Sequence, residues 1–356
     1  MKLQFTLLLL FTAWLVPAGS AHAQVSNPSG DLTTVQNEDI WAQTLKGNHF
    51  NEFWTYQFYL NNDLTVHITF SVANFGSLKS PVSGVQISVD RLNGEIYQLS
   101  REYDLDYLVQ DRENLMFRNR DQRKIYFIGE LPKEHRVRIH TSKDGVEYDI
   151  DLSMHNIQHG IKWDDGIYQI GEEKVGIYTH IPYASVSGYV SVDGHRQDVS
   201  GSVFMDHTFQ NETTTRLIDS AYRFINHQDS RNWDILYFMD PDRGSEDLTI
   251  GHYISSRNGK KKVRGVTSIT RSEKSRAFGD NIASTLTLEL SDGEQITLSR
   301  TADSEKFSVL GELGRIARAV ARRFLGGEVI HYRGEGNLEL EDGSVSDGYY
   351  HFMVVD

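Results

Sequence analysis

Eight Asn-Gly or Asp-Gly dipeptides divide the sequence into short segments, and they restrict its fold more than any other feature. Such pairs readily adopt the positive φ angles that tight two-residue hairpin turns require. Several of them stand between runs of alternating apolar and polar residues, which is the pattern of antiparallel strands. The chain is therefore predicted to be all-β and built from consecutive hairpins, with turns at Asn93, Asp144, Asp165, Asp193, Asn258, Asp292, Asp342 and Asp347.

The runs between these turns have the period of two that is typical of half-exposed strands. After the turn at Asp144, for example, the apolar residues Val146, Tyr148 and Ile150 alternate with acidic ones. One face of such a strand is buried and the other is exposed to solvent, as in many antiparallel sheets. Strands are expected from about Phe53 to the end of the chain.

The first residues have the parts of a cleavable signal peptide. Residues 1–23 combine a positive charge at Lys2, an apolar run over 5–16 and small residues at the cleavage site. We therefore expect a periplasmic or secreted protein. The length that remains favours two β-domains over one. We predict a flexible leader over 24–38, an N-terminal domain over 39–185 and a C-terminal domain over 186–356, joined near Pro182.

Charge, cysteine content and missing motifs exclude several functions. Removal of Lys2 with the signal peptide leaves 35 of the 36 basic residues against 49 acidic ones, a formal charge of −14. Such an acidic surface repels a phosphate backbone, so no nucleic acid is expected as partner. The sequence contains no phosphate-binding glycine loop, so no nucleotide cofactor is expected. Its lack of cysteine excludes disulfides, zinc thiolate sites and thiol catalysis.

One segment, residues 304–325, departs from the period of two. Its apolar residues recur at helical spacing, and its arginines fall on another face. Ser304 is suited to cap the start of a helix, and Gly326 and Gly327 are suited to end it. We expect one C-terminal amphipathic helix over 304–325. This helix either packs across a barrel mouth or makes a peripheral contact with anionic lipid.

An adjacent acid and histidine, Asp206 and His207, end a predicted strand and are the candidate catalytic residues. Neighbouring residues on a strand point to opposite faces, so both cannot enter one cavity without a bulge or turn. A carboxylic acid or histidine in an apolar cavity has a perturbed pKa, which suits general acid catalysis. Alternatively, the two groups form a buried polar pair that is satisfied by the backbone and fixes the strand end.

The segment Gly188–Phe209 resembles the signature of the tandem lipocalin-like superfamily. This superfamily includes the carotenoid 1,2-hydratases (hydroxyneurosporene synthases) and the survival-factor proteins of fungi. Its Asp-His-x-Trp-Gly motif matches here at Asp206 and His207, whereas Phe209 replaces the tryptophan and Gln210 the glycine. The resemblance implies two lipocalin-like antiparallel β-barrels and a cofactor-free protonation of a double bond.

Other segments are similar to the same family. Residues 52–54, at a strand that opens the first domain, and the glycine-rich hairpin over 334–350 match its opening and closing strands. The resemblance thus extends over most of the chain after the signal peptide.

Aromatic residues are the candidates for contact with an apolar ligand. Trp233, Ile235, Tyr237 and Met239 share one strand face by their period of two. Such a stripe lines either a ligand cavity or a plain core. The predicted ligand-binding residues are Trp54, Tyr222, Trp233 and Tyr237.

Three weaker patterns complete the candidates, and no metal site is expected. His155 and His159 have helical metal-ligand spacing but lie near a predicted turn, which favours an unligated loop. Asp240, Asp242 and Asp247 lack the order of a calcium-binding loop and are more typical of a solvated turn. The lysines of residues 260–262 are expected at an exposed hairpin tip.

Three functions remain after these exclusions. The first is an exported binding protein for a hydrophobic small molecule such as a lipid, terpenoid or fatty acid derivative. The second is a cofactor-independent hydratase, isomerase or cyclase of an apolar substrate, with Asp206 or His207 as proton donor. The third, a carbohydrate-active protein, ranks last because the sequence shows no identifiable carboxylate pair.

Overall fold

The computed structural model describes residues 25–43, 49–76, 80–120, 124–241, 249–312 and 314–356. These residues are almost entirely antiparallel β-structure, so the predicted all-β fold is confirmed. The first fifteen strands form one sheet, and the last eight form a closed barrel. The predicted signal peptide, residues 1–23, lies outside the described residues.

The strands of the first domain are β1 (Val25–Ser26), β2 (Leu32–Thr34), β3 (His49–Leu60), β4 (Thr65–Phe75), β5 (Val82–Leu92), β6 (Glu95–Asp104), β7 (Leu108–Asp111), β8 (Met116–Asn119), β9 (Ile125–Ile128), β10 (His135–Lys143), β11 (Val146–His155), β12 (Ile161–Trp163), β13 (Ile167–Ile170), β14 (Glu173–Val192) and β15 (His195–Gln210). Those of the second domain are β16 (Ser220–His227), β17 (Trp233–Asp240), β18 (Ile250–Arg257), β19 (Lys260–Ala277), β20 (Asp280–Leu290), β21 (Gln295–Phe307), β22 (Val329–Leu340) and β23 (Val345–Val355). The helices are α1 (Thr214–Leu217) and α2 (Arg315–Leu325), with 3-10 turns at Asn37–Ile40, Asn61–Asp63, Leu105–Tyr107 and Val309–Glu312.

Six of the eight predicted turns join strands that pair with each other. Asn93-Gly94, for example, connects β5 with β6 at φ angles of 53° and 77°, as a hairpin turn requires. Asp165 lies in a turn between β12 and β13, which do not pair with each other. Asp347-Gly348 lies inside β23, where a Cβ on Gly348 would stand 2.4 Å from the carbonyl oxygen of Ile225. At this position glycine permits the close approach of two barrel strands instead of a turn.

The first domain is a curved sheet. Its main path runs β6-β5-β4-β3-β15-β14-β11-β10-β9-β8-β7. Side chains connect β6 with the far half of the path: Arg101 Nη1 donates to Thr141 Oγ1 at 2.8 Å, and the Tyr148 hydroxyl donates to the Gln98 carbonyl at 3.1 Å. The sheet therefore curls around its own apolar core. Of the two predicted barrels, only the second is closed by strand pairing in the described chain.

The join between the domains lies further along the chain than the predicted boundary at 185/186. Strand β14 runs through this position, β15 lies wholly beyond it, and both belong to the first sheet. Register shifts between Thr179 and Ala184 accommodate Pro182, which has no N–H to donate, so β14 continues through the proline. The chain enters the barrel only between Gln210 and Ser220, by way of α1.

The segment predicted as a flexible leader forms strand pairs and hydrogen bonds over its described residues, 25–38. β1 pairs with β13, and β2 pairs with β12. Asn27 contacts the second domain, because its Nδ2 donates to the Val266 carbonyl at 3.2 Å and its Oδ1 accepts from the Gly251 N–H at 2.8 Å. These backbone and side-chain bonds, which the polar composition of the segment does not reveal, hold it against both domains.

The C-terminal helix is shorter than predicted. The first residues of the expected helix belong to β21, where Glu305 pairs with Arg333 and Phe307 with His331. Helix α2 begins after Gly314 and ends at Gly326, which has a φ of 80°. Long-range strand pairing therefore overrides the helical spacing of residues 304–307, whereas the glycine stop is confirmed. None of the described helices is long and apolar enough to cross a membrane.

Candidate functional site

A cavity of about 830 Å³ lies between the two domains. The outward face of β3, β4 and β5 forms one wall, and the outer face of β16, β17, β22 and β23 forms the other. Helix α2 contributes to the rim through Ala321, Phe324 and Leu325. Side chains alternate between the faces of a strand, so residues that point away from each core meet here. The volume lies in the range of small-molecule sites.

Much of the cavity wall is apolar, and this surface comes from both domains. Strand β3 supplies Phe53 and β14 supplies Val175, whereas the barrel side supplies Ala221, Tyr237, Met239 and Met353. Such a surface favours a ligand that is itself largely apolar.

A row of polar side chains crosses the barrel wall at one level. Glu305 on β21 stands opposite Arg333 on β22, Arg333 opposite His351 on β23, and His351 opposite Arg223 on β16. Arg333, His351 and Arg223 line the cavity. We call Glu305, Arg333, His351 and Arg223 the polar row.

Two histidines in this wall are hydrogen-bonded to each other. His331 Nδ1 lies 2.9 Å from His351 Nε2, and both rings line the cavity. Loss of contact with water, together with Arg333, lowers the pKa of His331 to about 3. The same causes, with His331 and Arg223, lower the pKa of His351 well below its ordinary value. Both imidazoles are therefore neutral at neutral pH.

A neutral histidine pair of this kind combines an acid with a base. One ring donates the shared hydrogen bond and keeps an acceptor at its outer nitrogen. The other ring accepts it and carries a hydrogen on its outer nitrogen. The outer atoms are His331 Nε2 and His351 Nδ1, and either tautomer gives one acceptor and one donor. Transfer of a proton through the pair exchanges these roles, so the pair is suited to move a proton between two points of a ligand.

Glu305 and Arg333 form a buried ion pair at one end of the polar row. Arg333 Nη1 lies 2.7 Å from Glu305 Oε2, and Ser88 Oγ of the first domain donates to Glu305 Oε1 at 2.6 Å. Desolvation raises the pKa of the Glu305 carboxyl, but the charge of Arg333 and the hydrogen bonds from Ser88 and Arg333 outweigh it, and the pKa is lowered to about 2. The carboxylate therefore stays ionised and holds Arg333 in the wall.

Asp206 lies at the other end of the polar row. Its Oδ2 accepts a hydrogen bond from Arg223, and its Oδ1 is buried without a partner among the described residues. Burial raises the pKa of the Asp206 carboxyl, although Arg223 acts in the opposite direction. Arg223 lines the cavity, whereas Asp206 is not part of the wall. The predicted acid is therefore connected to the cavity only through its hydrogen bond with Arg223.

His207 points away from the cavity, into the first domain. Its Nδ1 donates to the Asp39 carbonyl at 2.9 Å, its Nε2 lies 2.6 Å from Glu52 Oε1, and its ring stacks on Trp54. Trp54 Nε1 donates to the Ile40 carbonyl at 2.8 Å. Together these contacts hold the 3-10 turn at Asn37–Ile40. The opposite orientation of Asp206 and His207 follows the prediction, and the contacts of His207 match its structural alternative.

The predicted ligand-binding residues separate into two groups. Tyr237 lines the cavity between the domains, whereas Tyr222 borders it but packs its ring in the barrel core against Phe238. Trp54 belongs to the core of the first domain, and Trp233 packs in a cluster with Tyr59 and Phe204. The stripe that begins at Trp233 does share one strand face, but it is the outer face of the barrel.

The weaker candidates take ordinary structural places. His155 ends β11, where its Nε2 lies 3.1 Å from Ser187 Oγ. Lys262 pairs with Asp292 at 2.8 Å beside the β18–β19 hairpin. Within the described ranges, no group of three or more potential ligands is arranged to hold a metal ion. Asp242 and Asp247 lie outside the described residues.

Sequence reasoning missed most of the polar wall. His331, Arg333 and His351 occupy the polar positions of alternating strands, which normally face solvent. The one available signal was the row of basic and histidine side chains at alternate positions of two paired strands near the C-terminus. The pattern could not show that the first domain covers this face.

Comparison with known proteins supports the fold. No protein-family model and no curated protein matches the chain. An AttH-like protein of Nitrosomonas europaea has a TM-score of 0.60 and 14% identity, over 86% of this chain and 92% of that one. Kievitone hydratase of Nectria haematococca has a TM-score of 0.52 and 14% identity, over 92% and 97%. CghA with Sch210972 has a TM-score of 0.58 and 10% identity, over 87% and 89%.

Identities this low support a shared fold and carry no residue assignments. The similarity nevertheless extends through both domains, because the matches span most of each chain. The chain therefore shares the fold of these three structures.

Proposed function

We propose that this protein is a cofactor-independent acid–base enzyme of the hydratase type, acting on a largely apolar small molecule in the inter-domain cavity. The observation that carries the proposal is the neutral pair of His331 and His351 in the wall of that cavity. The fold shared with kievitone hydratase supports the same class of reaction.

Addition of water to a double bond requires two proton movements. A base removes a proton from water, and an acid delivers one to carbon. The outer nitrogens of His331 and His351 supply one acceptor and one donor, and transfer of a proton along the shared hydrogen bond leaves both rings neutral with these roles exchanged. Proton exchange with water then restores the starting tautomer. The same groups catalyse the reverse elimination, because acid and base exchange roles.

The arginines of the polar row narrow the substrate class. A neutral imidazole is too weak an acid to protonate an isolated double bond, so the substrate needs further activation. Arg223 and Arg333 line the cavity near His351 and are placed to stabilise negative charge on a substrate oxygen. A double bond conjugated with a carbonyl group therefore fits this site, since its intermediate carries charge on oxygen.

The other candidate functions receive different support. A binding protein without turnover would use the same cavity, but it would not need a hydrogen-bonded histidine pair there. A glycoside hydrolase requires two carboxyl groups, and Glu102 is the one carboxylate among the residues that line this described cavity. Action outside the cytoplasm remains a prediction from the signal peptide.

Turnover of candidate substrates in ¹⁸O-labelled water tests the proposal. Extracts of apolar metabolites are incubated with the protein, and mass spectrometry follows products that gain or lose one water. We expect His331→Gln and His351→Gln to lower kcat by about 10²-fold to 10⁴-fold while a fluorescent apolar probe still binds. His195→Gln, at the exposed β14–β15 hairpin, is the matched control. Unchanged turnover in both cavity variants would refute the assignment.

A further inference from the structure

The outer face of α2 carries an exposed apolar ridge. Ile316, Val320 and Phe324 are 85%, 51% and 57% exposed. Their spacing of four residues places them on one side of the helix. Exposure of three large apolar side chains on one helix face to water is unfavourable in free energy, and such a patch is typical of an interaction site.

A basic stripe runs beside this ridge. Arg315 and Arg323 are exposed and form no ion pair within the described part of the chain. The helix has four arginines and no acidic residue, although the whole protein carries a formal charge of −13. The positive charge is therefore concentrated where the apolar ridge lies.

The inner side of the helix is fixed to the barrel. Arg318 Nη2 lies 2.8 Å from Glu328 Oε1, and Arg322 Nη2 lies 2.9 Å from Asp356 Oδ2. These two pairs fix which side of α2 faces the barrel and leave Arg315 and Arg323 exposed to solvent. The orientation is thus set by the fold and does not depend on a partner.

The same helix forms the rim of the inter-domain cavity. Ala321 and Leu325 line the cavity from the inner side, and Phe324 both lines it and is exposed outside. An apolar molecule beside the ridge would therefore be next to the cavity.

We infer that α2 docks on an anionic lipid surface and that the apolar substrate enters the cavity from this lipid. An apolar ridge flanked by arginines suits the boundary between lipid headgroups and acyl chains. A second copy of the chain fits less well, because two such faces would bring four exposed arginines together. The entry route rests on the proposed function, whereas the docking does not.

Sedimentation of the purified protein with vesicles tests the docking. We expect binding to vesicles of phosphatidylcholine with 30% phosphatidylglycerol, and little binding to phosphatidylcholine alone. Arg315→Gln with Arg323→Gln should weaken binding about 30-fold, at roughly a fivefold loss per basic residue. The double substitution Ile316→Gln with Val320→Gln should also remove most of the vesicle binding. Lys274→Gln with Arg276→Gln, two exposed basic residues on β19, is the matched control and should bind normally.

Two results would overturn the inference. One is undiminished vesicle binding in both helix variants. The other is a protein that dimerises through α2 and does not bind anionic vesicles. His351→Gln separates the two proposals, because it should lose turnover and still bind vesicles. If no turnover is found while binding depends on α2, the enzymatic proposal fails and the docking stands.

Discussion

Acidification below pH 6.5 should destabilise this protein steeply, because four histidines are buried in the neutral form. His67, His135, His180 and His252 are 9%, 3%, 2% and 3% exposed. Desolvation lowers the pKa of His135 and of His252 to about 3, and lowers the pKa of His67 and of His180 well below the ordinary value. In the unfolded chain all four regain a pKa near 6.5.

The magnitude follows from proton linkage. Below pH 6.5 the unfolded chain binds more protons than the folded one, so the free energy of unfolding falls as the pH falls. Each histidine contributes about 1.4 kcal/mol per pH unit until its folded pKa is reached. These four contribute about 5.5 kcal/mol per pH unit between roughly pH 5.5 and 4.5. His227, His331 and His351, whose pKa values are lowered as well, add to the slope in the same direction. A stability of about 5 to 15 kcal/mol would be lost within about one to three units below pH 6.5.

Urea titrations followed by tryptophan fluorescence, from pH 7.5 to 4.5, measure this slope. The substitution His135→Gln should reduce it by about 1.4 kcal/mol per pH unit, because one titrating group is removed. His195→Gln, at an exposed position, should leave it unchanged. A slope that corresponds to one proton or fewer, or that is the same in the His135 variant, would refute the reasoning.

Three further outcomes are expected. Glu305→Gln leaves Arg333 buried without its ion pair and should lower the free energy of unfolding by about 3 to 5 kcal/mol, which urea denaturation measures. Turnover should show no inflection near pH 6.5, because the pKa of His331 is lowered to about 3; a pH–rate profile with such a limb would contradict its role. His207→Gln should cost about 3 kcal/mol of stability and leave the affinity of the cavity for an apolar probe unchanged, as calorimetry and fluorescence titration would show.

Local signals predicted the fold class well. The turn at Asn93-Gly94 and five others join paired strands, because two-residue turns encode their own geometry. The stop at Gly326 is likewise local, since it needs only a positive φ angle. Predictions failed where pairing with distant strands decides the local structure. The first residues of the expected helix pair with β22 as part of β21, and β14 continues through Pro182, where a domain join was predicted.

The sequence by itself determined that the chain is all-β, that its hairpins turn at small polar pairs, and that Asp206 and His207 point to opposite faces. Only the tertiary structure decided what lies on each face. Asp206 turns to Arg223 of the second domain, and His207 turns to a backbone carbonyl of the first. The alternation of a strand shows that its two faces differ, but the polar face of β22 and β23 becomes a cavity wall only because another domain covers it.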